Sequence, residues 1–247
     1  MPFQLSLCIP TMRRFDFLKV NLPKYLENPY IAEINIVDET GEDYELLSQI
    51  YKNEPKIRLF KNQVRLGTFL NKIESAKKAS NDWICLMDSD NFADLDYFEQ
   101  FIKYTASNPD KNIVYCPSFA KPRFDYRAFE NIIIDKSSLR SIIPNNDVNW
   151  KVRTAFNTGN YIYHKSILDT VDTLIKNDAE VNDMSKIIYG CDVIYLNYLL
   201  LKNNYKFIFV PKMEYTHVVH DGSIYSITAE TQKELNNYIN TVFLELS

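Results

Sequence analysis

The regular alternation of short apolar runs with helical segments is the feature that most constrains the fold of this chain. Five runs of strand length lie in the first half, at residues 4–9, 34–37, 57–60, 83–87 and 113–116. Between them, apolar side chains recur every three or four residues, as at Leu18, Leu22 and Leu26, and this spacing is typical of an amphipathic helix. Strands that alternate with helices form right-handed βαβ units with parallel strands. The sequence therefore predicts an α/β fold with a mainly parallel central sheet flanked by helices.

The second half of the chain, from about Pro117, is less regular. Residues 121–151 are polar and rich in asparagine, and we interpret them as a long excursion over a site. Later segments are predicted to be a strand at residues 160–163, helices at 166–177 and 191–202, a strand at 207–210 and a final helix at 229–246. No internal repeat or low-complexity linker divides the chain, so we expect one compact unit of two halves, residues 1–117 and 118–247.

The composition narrows the class of protein and its partners. A chain of 247 residues with a net charge of −4 lacks the basic field that nucleic acid or an anionic membrane requires. No apolar run reaches the length of a transmembrane helix, and the N-terminus does not resemble a signal peptide. The four cysteines are far apart, and Cys8, Cys85 and Cys116 lie in predicted strands. Free thiols are therefore expected, which favours a cytoplasmic protein, bacterial or in the host cytoplasm if viral.

Several common catalytic motifs are absent from the sequence. With only five glycines, the chain contains neither a GxGxxG nor a GxxxxGK[ST] motif, and it has no GxSxG or HExxH either. Any phosphate chemistry must therefore depend on a metal ion rather than on a glycine-rich loop.

Two carboxylates, Asp88 and Asp90, directly follow the apolar run 83–87. In open α/β sheets, ligands bind in the crevice at the carboxyl ends of the strands. Acidic oxygens there suit Mg²⁺ or Mn²⁺ carrying a phosphate ligand. The alternative is that these residues form a turn and cap the helix that begins near Leu95.

The ends of the first two strands are expected at the same edge of the sheet. The first strand stops at Pro10 and Thr11, and the second stops at Asp38. The Asp38 carboxylate has two interpretations of equal weight: it accepts hydrogen bonds from a nucleobase or ribose, or it caps the next helix.

Two basic residues, Arg65 and Lys72, flank Gly67 in the third βα connection. One interpretation is that they face a diphosphate. The other is that each is an ordinary solvated surface charge.

Asp192 stands at the start of an apolar helix in the second half. A carboxylate in a first helical turn often serves only as a cap or as a partner of the helix dipole. If it faces a cleft, it is also a suitable general base for deprotonating a hydroxyl group.

The segment 215–223 contains His217 and His220, two of the three histidines of the chain. A neutral imidazole can complete a metal site that carboxylates begin. A structural role for each histidine is the alternative.

In combination, these segments resemble a GT-A-fold glycosyltransferase and are similar to glycosyltransferase family 2. The resemblance rests on the order and spacing of segments 6–11, 34–40, 88–90, 158–160, 190–192 and 215–223. It implies a nucleotide-sugar-binding half at residues 1–117 and an acceptor-binding and catalytic half at 118–247, with residues 150–163 bordering the acceptor.

The resemblance also implies a set of donor-binding residues. Thr11 and Asp38 would contact the nucleoside, and Lys72 stands near the place where the family often has an arginine. The full set implied for the nucleotide-sugar is Pro10, Thr11, Asp38, Arg65, Lys72, Asp88 and Ser89.

The metal and the catalytic base follow from the same resemblance. Asp90 would bind Mn²⁺ or Mg²⁺ directly, Asp88 would face the ribose or the metal shell, and His220 would be the later metal ligand, with His217 as second choice. Asp192 would activate the acceptor hydroxyl for inversion. The expected activity is metal-dependent hexosyl or pentosyl transfer from a nucleotide-sugar, with UDP favoured, to a glycan or other glycoconjugate acceptor.

The sequence departs from the family pattern in two places and leaves alternatives open. Residues 38–41 read Asp-Glu-Thr-Gly rather than Asp-Asp-Gly-Ser, and Cys191 replaces the first acid of an acidic pair. The alternatives are an inactive sugar- or nucleotide-binding scaffold of the same fold, a sugar nucleotidyltransferase, and a retaining transferase, because a fold alone does not decide function.

Overall fold

A computed structural model of the chain describes residues 3–139, 157, 159–177, 192–220 and 241. Over these residues the strands are Leu5–Thr11 (β1), Ile31–Asp38 (β2), Ile57–Lys61 (β3), Trp83–Leu86 (β4), Ile113–Lys121 (β5), Phe124–Asp125 (β6), Ile133–Ile134 (β7), Ile162–His164 (β8) and Lys206–Thr216 (β9). The α-helices are Phe15–Leu26 (α1), Glu42–Tyr51 (α2), Thr68–Lys77 (α3), Leu95–Thr105 (α4), Ser166–Asn177 (α5) and Asp192–Lys202 (α6). A short 3₁₀ helix spans Arg127–Phe129.

The described strands form one sheet in the order β3-β2-β1-β4-β8-β5-β9-β7, with β6 paired to β5. Strands β1 to β4 pair in parallel, as βαβ connections require, and β5 pairs in parallel with β9. The short strand β8 lies antiparallel between β4 and β5 and joins the two parallel groups. The predicted α/β fold with a mainly parallel sheet is confirmed.

The strands next to the centre of the sheet are buried on both faces, which explains their apolar sequences. Leu7, Ile36, Ile84 and Phe209 are each at most 1% exposed. The predicted free thiols are confirmed for Cys8, Cys85 and Cys116, which are buried in β1, β4 and β5. Burial also raises the pKa of these thiols above the ordinary cysteine value. Cys191 lies outside the described residues.

Strands β5 and β9 are longer than the sequence predicted because they support each other. They pair in parallel almost from end to end, with an irregularity between Pro117 and Phe119. Short strands β6 and β7 were missed, since two residues carry too little periodicity to be recognised. The predicted final helix at residues 229–246 lies outside the described residues except for Thr241, which is helical.

No helix in the described part of the chain is both long and apolar enough to cross a lipid bilayer.

Candidate active site

Three parallel strands end side by side at one edge of the sheet. Thr11 at the end of β1 stands in register with Asp38 at the end of β2, and the Met87 N–H, just past β4, donates to the Cys8 carbonyl at 3.0 Å. A cavity of about 580 Å³ opens at this edge. The predicted site residues that line it are Pro10, Thr11, Lys72, Asp88, Ser89, Asp90, Asp192 and His217. The topology therefore gathers residues from both halves of the chain around one cavity.

Lys72 connects two of the carboxylates at this cavity. Its side chain is only 9% exposed, and its Nζ contacts Asp88 Oδ1 and lies 3.2 Å from Asp192 Oδ2. Burial alone would lower the pKa of Lys72, but Asp192 and Asp88 outweigh it and raise the pKa above the ordinary lysine value. Lys72 is therefore a fixed ammonium that links the loop after β4 to the start of α6.

Asp192 begins helix α6 and points to the cavity rather than acting only as a cap. Its side chain is 16% exposed. Burial raises the pKa of Asp192 above the ordinary aspartate value, and the charge of Lys72 opposes this rise. The start of α6 comes close to Gly159, where an added Cβ would lie 2.6 Å from Val193 Cγ2. Glycine at position 159 thus allows α6 to bring Asp192 to the cavity.

Asp90 lies among cationic and imidazole groups. Its Oδ2 is 3.0 Å from His220 Nε2 and 3.6 Å from Arg14 Nε. The His220 ring packs against Phe17, with the ring centroids 5.1 Å apart. The sequence did not single out Arg14, because one arginine before a helix has no distinguishing pattern.

The loop that carries Asp88 and Asp90 is held by asparagines. Asn160, just before β8, accepts from the Asp88 N–H at 2.7 Å and donates to Asp88 Oδ2 at 3.3 Å. Asn91 donates weakly to the same oxygen at 3.4 Å. Asn160 is a site residue that sequence reasoning did not assign, although it stands in one of the segments that carry the family resemblance.

The end of β9 is joined to the same loop by backbone pairing. The Phe92 N–H donates to the Thr216 carbonyl at 3.0 Å, and the Thr216 N–H donates back at 2.7 Å. The Val218 N–H donates to Asn91 Oδ1 at 3.1 Å. This pairing places His217 and His220 beside Asp88 and Asp90.

His217 lines the cavity, whereas His220 does not line it but contacts the lining residue Asp90. The Nδ1 atom of His217 is buried and has no hydrogen-bond partner among the residues that the structure describes. Burial lowers the pKa of His217, and this effect outweighs the negative charges of Asp88 and Asp90, which alone would raise the pKa. The ring is therefore neutral at pH 7.

Asp38 is buried and does not line the cavity. Its carboxylate accepts from the backbone N–H groups of Thr40 at 3.1 Å and Tyr44 at 2.9 Å, so it orders the turn into α2. Burial raises its pKa although these hydrogen bonds oppose the rise. The neighbouring Thr11 donates its hydroxyl to Asp43 Oδ2 at 2.5 Å. Asp43 is a second residue that the sequence did not assign.

Arg65 is exposed and does not line the cavity, but the next turn of this connection does. Gly67 adopts a φ of 85°, and its N–H donates to the Glu39 carboxylate, which also accepts from Asn62 at 2.8 Å. Glu39 therefore fixes the start of α3, from which Lys72 projects. Of the two basic residues that flank Gly67, the structure brings Lys72 to the cavity.

The side chains at this edge include a donor set for a hard divalent cation. Asp90 and His220 are in contact and offer a carboxylate and an imidazole, with Asp88 on the same loop. Within the described residues, however, no three His, Cys, Asp or Glu side chains are grouped as a cation cage. The arrangement fits a cation that has few protein ligands and takes the rest from substrate oxygens and water, as Mg²⁺ commonly does beside phosphates.

The comparison that decides the family covers most of the sheet, without β9, and most of the residues that line the cavity. The profile of glycosyl transferase family 2 matches residues 6–172, more than half of the chain. The chain belongs to glycosyl transferase family 2. The resemblance noted from the sequence is thereby confirmed, and no curated protein sequence matches this family 2 chain.

Solved structures show the same fold at low sequence identity. The chain matches S. aureus TarS 1-349 in complex with UDP at a TM-score of 0.63 and 12% identity, covering 97% of this chain and 65% of that one. It matches the UDP-GlcNAc complex of S. aureus TarS 1-349 at a TM-score of 0.63 and 11% identity, covering 99% of this chain and 71% of that one. A mannosyltransferase from Pyrobaculum calidifontis in complex with GDP-Man and Mn²⁺ matches at a TM-score of 0.62 and 12% identity, covering 99% of this chain and 74% of that one.

These likenesses confirm the predicted GT-A fold of the family 2 chain. The chain spans slightly less than two thirds of the UDP-bound TarS chain, so the larger protein carries a further segment outside the match.

Proposed function

We propose that this family 2 protein is a metal-dependent glycosyltransferase that moves a sugar from a nucleotide-diphosphate donor to a hydroxyl group, with inversion. The observation that carries the proposal is the convergence of Asp88, Asp90, His220 and Asp192 on one sheet edge with a cavity. UDP is the favoured nucleotide because TarS binds UDP and UDP-GlcNAc, although the archaeal mannosyltransferase binds GDP-Man.

The donor is assigned to the half formed by residues 1–117. Pro10, Thr11 and Ser89 line the cavity and are proposed to contact the nucleotide. Asp38 is proposed to act indirectly, because its carboxylate orders the turn beside Thr11 rather than facing the cavity. The N-terminal turn of α3 also borders the cavity, and backbone N–H groups at a helix N-terminus favour a phosphate group.

Asp90 and His220 are proposed to hold Mn²⁺ or Mg²⁺, with Asp88 beside them. When bound, the cation stabilises the negative charge that the diphosphate acquires as it leaves the sugar. Arg14, whose Nε lies 3.6 Å from Asp90 Oδ2, adds a positive charge beside the same site. His217 remains the second choice of imidazole ligand, since its buried Nδ1 lacks a partner among the described residues.

Asp192 is proposed to take the proton from the attacking acceptor hydroxyl. Burial raises the pKa of Asp192, which makes its carboxylate a stronger base than an exposed aspartate. Lys72 acts as a positioning residue, because its ammonium contacts both Asp192 and Asp88. The remaining 118–247 half, which includes Asp192, is assigned to the acceptor.

The first test is nucleotide binding by calorimetry, with UDP, GDP, CDP and TDP, each in Mn²⁺ and in EDTA. We expect UDP to bind in Mn²⁺ and to lose at least tenfold in affinity in EDTA. If none of the four nucleotides binds, the transferase proposal is contradicted.

The second test separates transfer from binding alone. Asp192→Asn is expected to lower kcat by about 10² to 10⁴ while nucleotide affinity stays unchanged, because a general base contributes a factor of that size. Asp169→Asn is the matched control, since Asp169 also lies in a first helical turn but is exposed in α5. Nucleotide binding with no turnover in the unmodified protein would instead support the sugar- or nucleotide-binding scaffold.

A further inference from the structure

One cationic side chain at the cavity has no partner among the residues that the structure describes. Three cationic side chains line the cavity within the described residues: Arg14, Lys72 and Arg123. Lys72 contacts Asp88 and Asp192, and Arg14 lies close to Asp90. Arg123 is exposed, and its guanidinium forms no hydrogen bond or ion pair with any described residue. It is thus the cavity cation whose charge no described carboxylate offsets.

The hairpin that carries Arg123 is firmly held. Arg123 lies in the short connection between β5 and β6, and its N–H donates to the Ala120 carbonyl at 2.9 Å. The neighbouring cations of this hairpin are paired, with Lys121 Nζ 2.7 Å from Glu214 and Arg127 2.6 Å from Asp125. Arg123 therefore differs from its neighbours in presenting an available guanidinium at a defined position.

Two uncharged rings, those of His217 and Phe124, lie beside the hairpin that carries Arg123. His217 donates its N–H to the Lys121 carbonyl at 2.7 Å, and its ring lies edge-on to Phe124, with centroids 5.1 Å apart. The hairpin is thus docked on the end of β9 beside a neutral imidazole and an aromatic ring. A guanidinium in this setting has donors that match a phosphate or carboxylate in a bidentate fashion.

We propose that Arg123 forms an anion subsite at the rim of the cavity, and that it binds a phosphate or carboxylate group of the acceptor. The preferred acceptor is then an anionic sugar. The assignment rests on the proposed function and adds the acceptor class to it. The donor is assigned to the β1 to β4 side of the cavity, where Arg14 and the proposed cation ligand Asp90 lie, whereas Arg123 stands on the β5–β6 hairpin.

The experiment compares neutral and anionic acceptors of the same sugar. Release of UDP from the UDP-sugar that binds best is measured with glucose, glucose 6-phosphate and glucuronic acid, and with the matching galactose and N-acetylglucosamine series. We expect transfer to anionic members, and a KM for them at least tenfold higher in Arg123→Ala. Arg123→Lys should recover part of the loss. Arg127→Ala is the matched control, since Arg127 lies in the same hairpin region but is paired with Asp125.

Four results would contradict the subsite. Equal use of neutral and anionic members, preference for neutral ones, or use of neither shows that Arg123 does not select an anionic acceptor. A loss of UDP affinity in Arg123→Ala, with acceptor KM unchanged, assigns the guanidinium to the donor diphosphate instead.

Failure of the proposed function gives a different pattern. If the unmodified protein binds no nucleotide, calorimetry with glucose 6-phosphate alone decides the question. A tenfold weaker binding of glucose 6-phosphate by Arg123→Ala would then still support the anion subsite, and equal binding by the two proteins would overturn it.

Discussion

At the scale of single residues, three of the carboxylates that line the cavity each have a cationic or imidazole neighbour. Asp88 and Asp192 share Lys72, while Asp90 has Arg14 and His220. Isolated carboxylates at a partly buried edge would take up protons, because burial penalises their charge. The neighbouring cations keep acidic oxygens available where the proposed chemistry needs them.

Replacing Asp90 tests the proposed cation ligand. Asp90→Asn removes the carboxylate charge that faces His220, so we expect UDP affinity in Mn²⁺ to fall at least tenfold, toward the value measured in EDTA. Calorimetric titration with Mn²⁺ and UDP measures this change. Asp96→Asn is the control, because Asp96 is an exposed residue of the next helix. Unaltered Mn²⁺ dependence in Asp90→Asn would remove Asp90 from the ligand set.

The sequence predicted those site residues whose position follows from one local pattern. Asp88 and Asp90 directly follow an apolar strand, and Asp192 opens an apolar helix, so local pattern placed all three near the cavity. Asn160 and Asp43 were not assigned, since their partners lie far along the chain, with Asn160 separated from Asp88 by 72 positions. Contacts of that kind depend on strand order, which periodicity alone does not determine.

At the scale of elements, the position of Asp192 depends on how closely α6 approaches the segment before β8. Gly159 permits this approach, because its missing side chain leaves room for Val193. A glycine followed by an asparagine looks like an ordinary turn in the sequence. Its packing role becomes evident only when the neighbouring helix is in place.

Adding one methyl group at this contact should displace α6. In Gly159→Ala the new Cβ would meet Val193 Cγ2 at 2.6 Å, and overpacking of this kind costs about 1–3 kcal/mol. We expect a lower Tm and a loss of turnover, because Asp192 moves with the helix. Thermal unfolding and kcat measure the two effects.

The double variant Gly159→Ala with Val193→Ala serves as the control. The nearest atom to the new methyl group would then be Val193 Cβ at 3.5 Å, which is ordinary contact. Turnover should therefore recover in the double variant. A double variant as inactive as Gly159→Ala would show that crowding of α6 is not the cause.

The bounds of helices and strands, like the site residues, could be predicted from the sequence where a local pattern sets them. Helices with a clear apolar stripe were predicted well, and the bounds of α5 agree with the expectation for residues 166–177. Strands β5 and β9 extend beyond their apolar cores because each supplies the hydrogen bonds of the other. Lys121, for example, has little strand propensity of its own and becomes extended through pairing with Thr216.

At the scale of the whole molecule, a buried carboxylate joins several parts of the sheet. Glu33 in β2 accepts from the Ser6 hydroxyl at 2.7 Å, the Ser80 N–H at 2.6 Å and the Asn35 amide at 3.0 Å. Arg58 in β3 also donates to it at 3.0 Å. Burial alone would raise the pKa of Glu33, but these hydrogen bonds outweigh it and lower the pKa to about 2.

This network predicts a defined acid dependence of stability. Since the pKa is lowered in the folded protein, Glu33 stabilises the fold above its unfolded pKa of about 4.5, and the contribution is lost as pH falls toward 2. The contribution is about 3 kcal/mol from a shift of this size. Denaturant unfolding between pH 7 and pH 2 should show a steep loss of the free energy of unfolding below pH 4.5.

Glu33→Gln should be less stable at pH 7 and should show a shallower acid slope. Glu27→Gln, at an exposed position, should behave as the unmodified protein does. If Glu33→Gln and the unmodified protein lose stability in parallel below pH 4.5, other carboxylates govern the acid response.

The backbone pairing of Phe92 with Thr216 also has a consequence for biosynthesis. The two groups proposed to hold the cation, Asp90 and His220, are 130 positions apart, and the pairing that unites them requires all of β9. A chain emerging from the ribosome can order its first βαβ units early, since the paired residues of β1 and β2, such as Ser6 and Glu33, are much closer in sequence than Asp90 and His220 are. The proposed cation site, by contrast, cannot form until synthesis has passed β9 and reached His220. If donor binding depends on this cation, as proposed, we expect nascent chains to be unable to bind the donor during most of their synthesis.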